Sequence, residues 1–337
     1  MVRMETRNFS QEEWHEITSQ FDDVNLIQLW EYGEVKARLQ GWRVVRHVWY
    51  DGDIVMGAAQ AMVKLVPFIK KGGVWINRAP LWQRRGQSPD LSMLNEMLRT
   101  LKLYWVDERK MYLRIAPTLL DDEKNRTLLA NAGFSAVPDS QWISARIDLR
   151  QSDDALRENL RSNWRNHLAQ AERSGILYYI DVSSTLFDEL VCEYRKFLLK
   201  KRLYISVTPE FIARLQSTLP QDRKMWIISG RINGKFLGAI LLARYGKSVE
   251  YLVGVVNDEG KKFNAAQYLL WYAIIESKKR GIQWFDVGGA HPQKTPTGIL
   301  HFKEGLGGVP YRLIGEFEAV SGIRANILRL LIKFRRQ

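Results

Sequence analysis

One order of elements occurs twice along this chain. In the second half, helical patterns at 183–201 and 209–219 lead to a strand at 225–231. Asn233-Gly234 turns that strand and is the strongest short hairpin signal in the sequence. Strands at 236–245 and 248–256, a helix at 264–279 and a strand at 284–287 follow. In the first half, Ser10-Gln11-Glu12-Glu13 reads as a capping box that opens a helix to about residue 20. A helix at 25–40 is next, with Leu26, Leu29, Trp30 and Val35 apolar, then strands at 43–50 and 54–66 around Asp51-Gly52-Asp53. A strand at 73–77, a helix at 91–106, a strand at 111–115 and a short helix closed by Gly133 complete it. Helices, hairpin, strand, helix, strand therefore appear twice, which predicts two copies of one mixed α/β unit of roughly 150 residues. The alternative is a single large α/β domain with coincidentally similar halves.

Length agrees with two units, since 337 residues exceed one ordinary domain. With 46% hydrophobic residues the chain can bury sizeable cores. No apolar run reaches the length of about 18 residues that a membrane span needs. Residues 1–13 are polar and lack a secretory apolar segment. A single cysteine, Cys192, excludes an internal disulfide and fits a reducing cytoplasm; its apolar helical surroundings predict a packed thiol. The net charge of +13 points to an anionic partner: nucleic acid, a phosphorylated substrate or an anionic membrane face.

The twice-used order is that of the acetyltransferase-like (GNAT) fold, in which a helix N-terminus can hold the pyrophosphate of an acyl-CoA. The phosphate loop there resembles Gln/Arg-x-x-Gly-x-Gly/Ala. The second copy has Asn257 to Asn264 at that place, with one glycine and two acidic residues, and does not match. The first copy has Gln83-Arg84-Arg85-Gly86-Gln87-Ser88, which matches all but the last position, with Pro89 directly behind it.

The chemistry centres on Trp284-Phe285-Asp286-Val287-Gly288-Gly289, a short apolar strand stopping at two glycines. Residues 290–298 hold two prolines and two threonines and read as a loop. After it come Phe302 and Lys303, ahead of Glu304-Gly305-Leu306-Gly307-Gly308. A lysine held beside an apolar side chain and flexible backbone suits a developing negative charge; the alternative is a solvated loop lysine. Acyl transfer to an amine passes through a tetrahedral oxyanion, and Lys303 is the candidate to neutralise it. His291 and Asp286 are candidate proton acceptors. The other readings are a solvated loop histidine and an aspartate that fixes the glycine turn. No His, Cys, Asp and Glu spacing suggests a metal.

Several segments together resemble the FemABX family. They are Leu160-Arg161-Ser162-Asn163-Trp164-Arg165-Asn166 with Ala171-Glu172-Arg173-Ser174-Gly175, then Phe285 to Gly289, Phe302 to Gly308, and Ile314-Gly315-Glu316-Phe317. The likeness covers about 156–318 well and the first half loosely. It implies tandem GNAT-like domains, with no coiled-coil insertion here. It also implies transfer of an aminoacyl group from aminoacyl-tRNA to an amine of a peptidoglycan precursor, without CoA or metal. The resemblance places Phe302 and Lys303 at the transfer site, and Lys36, in the helix that also carries Trp30, at the precursor's phosphates. Gly288, Gly289, His291 and Tyr251 complete the expected substrate-binding set. Two positions depart from the family pattern. A substrate-binding arginine falls at Val207, and a phosphate-contacting tyrosine falls at Leu252 beside Tyr251. Both concern the acceptor, so a nucleotide-linked or a lipid-linked envelope precursor remains open, as does an acyl-CoA donor in related branches.

Charge supplies the remaining expectations. Leu156, Leu160, Trp164 and Leu168 read as one helical stripe, and Arg157, Arg161 and Arg165 as a second beside it. Those arginines, with Lys261 and Lys262, are the candidate contacts to the tRNA phosphates; a solvated helix face is the alternative. Lys200-Lys201-Arg202 and Lys278-Lys279-Arg280 add to the charge. The tail at 322–337 sets Ile323, Ile327, Leu330, Leu331 and Phe334 against five basic residues. It reads as a helix lying on an anionic membrane face, or as one that packs back on the first domain. The expected division is 1–150 and 151–318, in a cytoplasmic transferase that can sit peripherally at the inner face of the membrane. The competing readings are an acyl-CoA N-acyltransferase and a basic nucleic-acid-binding protein.

Overall fold

The computed structural model describes residues 2–66, 71–182, 184–201 and 207–321. The tail 322–337 and Arg202 lie outside the described residues, and with them the expected membrane-facing helix. The chain divides into two compact units, residues 1–142 with 312–337, and 143–311.

In chain order the first elements are β1 (Arg3–Arg7), α1 (Gln11–Ser19), α2 (Trp30–Gln40), β2 (Arg43–Asp51), β3 (Ile54–Leu65), β4 (Gly72–Asn77), α3 (Leu91–Lys102), β5 (Tyr112–Ala116), α4 (Glu123–Asn131) and β6 (Ser135–Ala136). The capping box of α1 is formed on both sides, Ser10 accepting from the Glu13 amide and Glu13 accepting from the Ser10 amide. The chain continues with β7 (Trp142–Asp148), α5 (Asp153–Glu158), α6 (Ser162–Glu172), β8 (Leu177–Asp181), α7 (Ser184–Lys201) and α8 (Pro209–Thr218). It ends with β9 (Trp226–Ile232), β10 (Lys235–Tyr245), β11 (Ser248–Val256), α9 (Asp258–Lys262), α10 (Ala265–Lys279), β12 (Trp284–Asp286), α11 (Thr297–Glu304), β13 (Val309–Leu313) and β14 (Phe317–Ala319).

Two seven-stranded sheets result, ordered β1-β2-β3-β4-β5-β14-β6 and β13-β7-β12-β11-β10-β9-β8. Read from opposite ends they are the same sheet: β1 to β5 match β8 to β12, β14 matches β7, and β6 matches β13. The expected repeat is therefore present, with a strand ahead of each helix pair that the sequence reading did not include. Each sheet takes its sixth strand from outside its own run. β7 enters the second sheet antiparallel to β12, and β14 enters the first antiparallel to β5. For this reason the second unit starts at 143 rather than 151, and 312–319 belongs with the first. Each unit has its own core, one around Trp49, Ile76, Leu98 and Leu113, the other around Ile228, Leu242, Leu269 and Phe285.

Four local expectations change. The helix expected at 25–40 is a 3₁₀ turn at Leu26–Gln28 and then α2, because Leu29 between them is extended (ψ 144°). There the buried Gln28 side chain accepts from the Gln60 amide and donates to the Asn77 carbonyl, satisfying two strands. The helix expected to 106 ends at Lys102 and widens into a π-helical turn, Leu103–Glu108. The single stripe through 156–168 is broken, since Arg161 is extended (ψ 145°) and separates α5 from α6. Leu156, Leu160, Trp164 and Leu168 are nonetheless all buried. Cys192 is exposed on α7, where Phe187, Leu190, Val191 and Tyr194 form the buried face.

Candidate active site

In the second unit the site grows from the end of β12. Asp286 is 6% exposed, and its oxygens take three donors. The Gly288 amide (2.8 Å) and Ser144 Oγ (2.5 Å) reach Oδ1, and the Tyr311 hydroxyl (2.5 Å) reaches Oδ2. A carboxylate so filled holds a turn. That is the geometry of the second reading of Asp286, an aspartate that fixes the glycine turn. Gly288 needs this hold, because its φ is +69° and a Cβ there would lie 2.6 Å from the Tyr251 carbonyl oxygen.

Residues 297–304, read partly as loop, form α11, with Lys303 in its last turn. Its Nζ donates to the Gly289 carbonyl (2.9 Å) and lies 5.4 Å from the centre of the Tyr251 ring. Burial pulls the Lys303 ammonium down to about 8, while Glu250 and Asp286 act against that pull. One N–H is thus committed to the Gly289 oxygen, and an ammonium carries three. Phe302 packs on Trp164 with ring centres 5.9 Å apart. Trp164 fits there because position 305 is glycine; a Cβ would meet the indole at 2.5 Å.

Tyr251 faces the same corner. Leu241 pairs with Val253 and Leu242 with Tyr251, so Leu252 is the extra residue of a β-bulge. Glycine at 254 leaves room for the Tyr251 hydroxyl, which would stand 2.0 Å from a Cβ there. Burial pushes that hydroxyl up to about 12, so it stays protonated as a donor at neutral pH. His291 accepts from the Gln293 amide at Nδ1 (3.1 Å), and its carbonyl accepts from the Lys294 and Thr295 amides. It closes its own turn, and among the described residues it has no bond to Asp286 or Lys303. Lys303, Gly288, Gly289, Asp286, Tyr251 and Phe302 are therefore brought together, while His291 is set beside them. The roles of Ser144, Tyr311 and Gly254 escaped the sequence reading. Only Gly254, a glycine inside a strand, carried a signal.

The candidate tRNA arginines do not form a bare face. Arg157 makes a two-pronged pair with Glu172, Arg161 lies 3.1 Å from Glu304, and Arg165 donates to the Glu158 and Leu160 carbonyls. Lys261 pairs with Asp258, and Lys262 is exposed. In the first unit Lys36 is 7% exposed, with the rings of Tyr32, Trp42 and Trp75 at 5.9, 5.9 and 5.5 Å from its Nζ. Trp30 lies against the Arg46 guanidinium, which has Trp14 as its other aromatic neighbour. In the loop at Gln83–Ser88 four amides are already used within the protein. Those of Gln83, Arg84, Arg85 and Gln87 bond to Asp23, Trp82, Gln20 and Arg84, and the Asp90 carboxylate caps α3. Among the described residues no group of three His, Cys, Asp or Glu side chains could hold a metal, and no helix is long and apolar enough to cross a membrane.

The sequence model of the FemAB family matches residues 203–333. None of the curated proteins matches the chain. Among solved structures, the crystal structure of FemX superposes with a TM-score of 0.82 at 16% identity, over 97% of this chain and 99% of that one. The C-terminal domain of a putative lysylphosphatidylglycerol synthetase from Agrobacterium fabrum gives 0.60 at 13% identity, over 95% and 94%. The L-PGS structure from Bacillus licheniformis gives 0.55 at 13% identity, over 95% and 96%. At these identities the likeness is one of fold, and the fold is two GNAT-like units in tandem. Residues 203–333 thus carry the sequence pattern of the FemAB family, and the whole chain has a fold similar to that of FemX.

Proposed function

We propose that this protein is an aminoacyltransferase that moves an amino acid from aminoacyl-tRNA to an amine of a peptidoglycan or other cell-envelope precursor, in the cytoplasm or at the inner membrane face. The FemAB sequence match over residues 203–333 and the FemX-like fold support acyl transfer. The observation that carries the mechanism is the Lys303 ammonium, fixed at 2.9 Å on the Gly289 carbonyl beside the Tyr251 ring, in a partly buried corner.

The acceptor amine attacks the ester carbonyl carbon, a C–N bond forms, and the carbonyl electron pair moves to oxygen. Lys303 offers its uncommitted N–H groups to that oxyanion in surroundings of low dielectric. The pair then returns, the C–O bond to the terminal ribose breaks, and the proton lost by the amine ends on the ribose oxygen. Gly288 and Asp286 hold the turn whose next carbonyl anchors the ammonium. The amides of Gln83, Arg84, Arg85 and Gln87 in the loop that suggested an acyl-CoA donor are engaged within the protein, which favours the tRNA reading.

The test is transfer of a radiolabelled amino acid from a charged tRNA pool to a nucleotide-linked or lipid-linked muropeptide. The Lys303→Met variant is expected to lose about 10²–10³-fold in turnover, the cost typical of one oxyanion donor, with an unchanged circular dichroism spectrum. Wild-type turnover in that variant removes Lys303 from the mechanism. Transfer from acetyl-CoA, and none from tRNA, replaces the donor.

A further inference from the structure

On the α3 face of the first sheet, away from Lys36, a cavity of about 650 Å³ lies where β1 ends and β2 begins. Its floor is apolar and includes Val45, Val63 and Met111. Its polar lining is Thr6, Arg7, Asn8, Arg43 and Arg109, with no carboxylate. The π-helical turn at 103–108 builds one wall by placing Tyr104 and Trp105 against His47, with ring centres 5.1 and 5.6 Å away. π-Helical turns occur often at functional sites.

Hydrogen bonding fixes what this lining presents. The Trp105 indole N–H can only donate, and it meets His47 Nε2 at 3.0 Å. The buried neutral imidazole therefore carries its proton on Nδ1 and donates it to Thr6 Oγ1 at 2.8 Å. With its oxygen accepting, the Thr6 hydroxyl keeps its own proton for the cavity. Arg109 is held ready, with Cζ 3.3 Å from the centre of the Tyr104 ring and Nη1 on the Tyr104 carbonyl (2.9 Å). Arg7 is engaged by Glu5 and Glu13, and Arg109 also pairs with Glu108 through Nη1. Arg43 is exposed and has no ion pair among the described residues. Side-chain donors thus face the space above an apolar floor.

We propose that this cavity is a binding site for a phosphate monoester carried on an apolar or aromatic body, with Arg43 and Arg109 gripping the phosphate and Thr6 donating to one of its oxygens. Guanidinium–phosphate bonds are charge-assisted and geometrically selective. A soluble ester and a lipid phosphate share this chemistry.

Calorimetric titration of the full chain with phenyl phosphate, inorganic phosphate and vesicles containing phosphatidic acid separates the sources. Phenyl phosphate is expected to bind saturably and more tightly than inorganic phosphate. Arg43→Gln and Arg109→Gln should each weaken it by about tenfold or more, Thr6→Val by about threefold to tenfold, and the exposed Arg38→Gln by nothing. Binding confined to the vesicles, with the same sensitivity to the two arginines, assigns the site to a lipid phosphate. No saturable binding of either, equal binding of inorganic phosphate, or binding indifferent to both arginine variants overturns the proposal. None of these outcomes depends on transferase activity.

Discussion

At the scale of single residues, Gly288 has little freedom. Its φ of +69° disfavours any L side chain, and a methyl there would stand 2.6 Å from backbone oxygen and 3.4 Å from Lys303 Nζ. Gly288→Ala should cost about 2 kcal/mol or more of stability and reduce turnover further by moving the anchor of Lys303. Gly298→Ala is the control: its Cβ would meet nothing within 4 Å, and helical alanine there should be neutral or stabilising. Chemical denaturation of both variants checks the pair. Lys303 adds a pH prediction. Its ammonium is pulled down to about 8, below the ordinary lysine value, so the charged form is present below that pH and lost above it. Turnover should therefore fall about tenfold per pH unit above roughly 8 to 9. The acceptor amine must be neutral to attack and supplies the rising limb. A pH profile of kcat that still climbs at pH 9.5 would contradict this. The glycine pair and the Phe-Lys pair were legible in sequence because residue types and spacing carry them. The Lys303–Gly289 bond was not, since it depends on a helix that starts directly behind Pro296 and is only eight residues long.

At the scale of elements, broken helices decide which charges are available. An unbroken helix through 156–168 would display Arg157, Arg161 and Arg165 in a row. The extended backbone at Arg161 instead lets Arg165 fold back onto the open carbonyls at the end of α5. Arg165→Ala should then lower stability by about 1–2 kcal/mol through two lost bonds to carbonyls. Lys262 has no ion pair among the described residues and is exposed. Lys262→Ala should weaken RNA binding and flatten its salt slope by roughly 0.7–0.9. Arg157→Ala, whose guanidinium serves Glu172, should change stability more than RNA affinity. Urea denaturation and salt-dependent filter binding on the three variants test this division. Hairpins and capped helices were readable beforehand because their signals are local: Asn233-Gly234, Ser10 with Glu13, Gly133. β1 and β8 were not, because short strands with few buried side chains give no clean alternation.

At the scale of the whole molecule, the exchange of sixth strands sets the order in which the chain can become stable. β7 follows the first run of strands and completes the second sheet; β14 follows the second run and completes the first. No local pattern reveals such long-range pairing, which is why the repeat was legible and the boundaries were not. The consequence is asymmetric. Residues 143–311 contain nearly all of the second sheet and should fold alone. Residues 1–142 lack β14, which lies between β5 and β6 and carries Phe317 and Ala319 into the core. Without it Tyr112 loses Glu318 (2.5 Å), and Arg114, 8% exposed, loses Glu316 (3.0 Å). An uncompensated buried guanidinium alone costs about 3–5 kcal/mol, a large part of the stability of a domain this size. The 1–142 fragment should therefore give broad, poorly dispersed amide resonances, whereas 143–311 gives a dispersed spectrum. A synthetic peptide of residues 312–321 should restore dispersion to the first fragment, because it returns the missing strand and both carboxylates. A 1–142 fragment that unfolds cooperatively without the peptide would mean that β14 is an accessory edge and that the first sheet closes on its own.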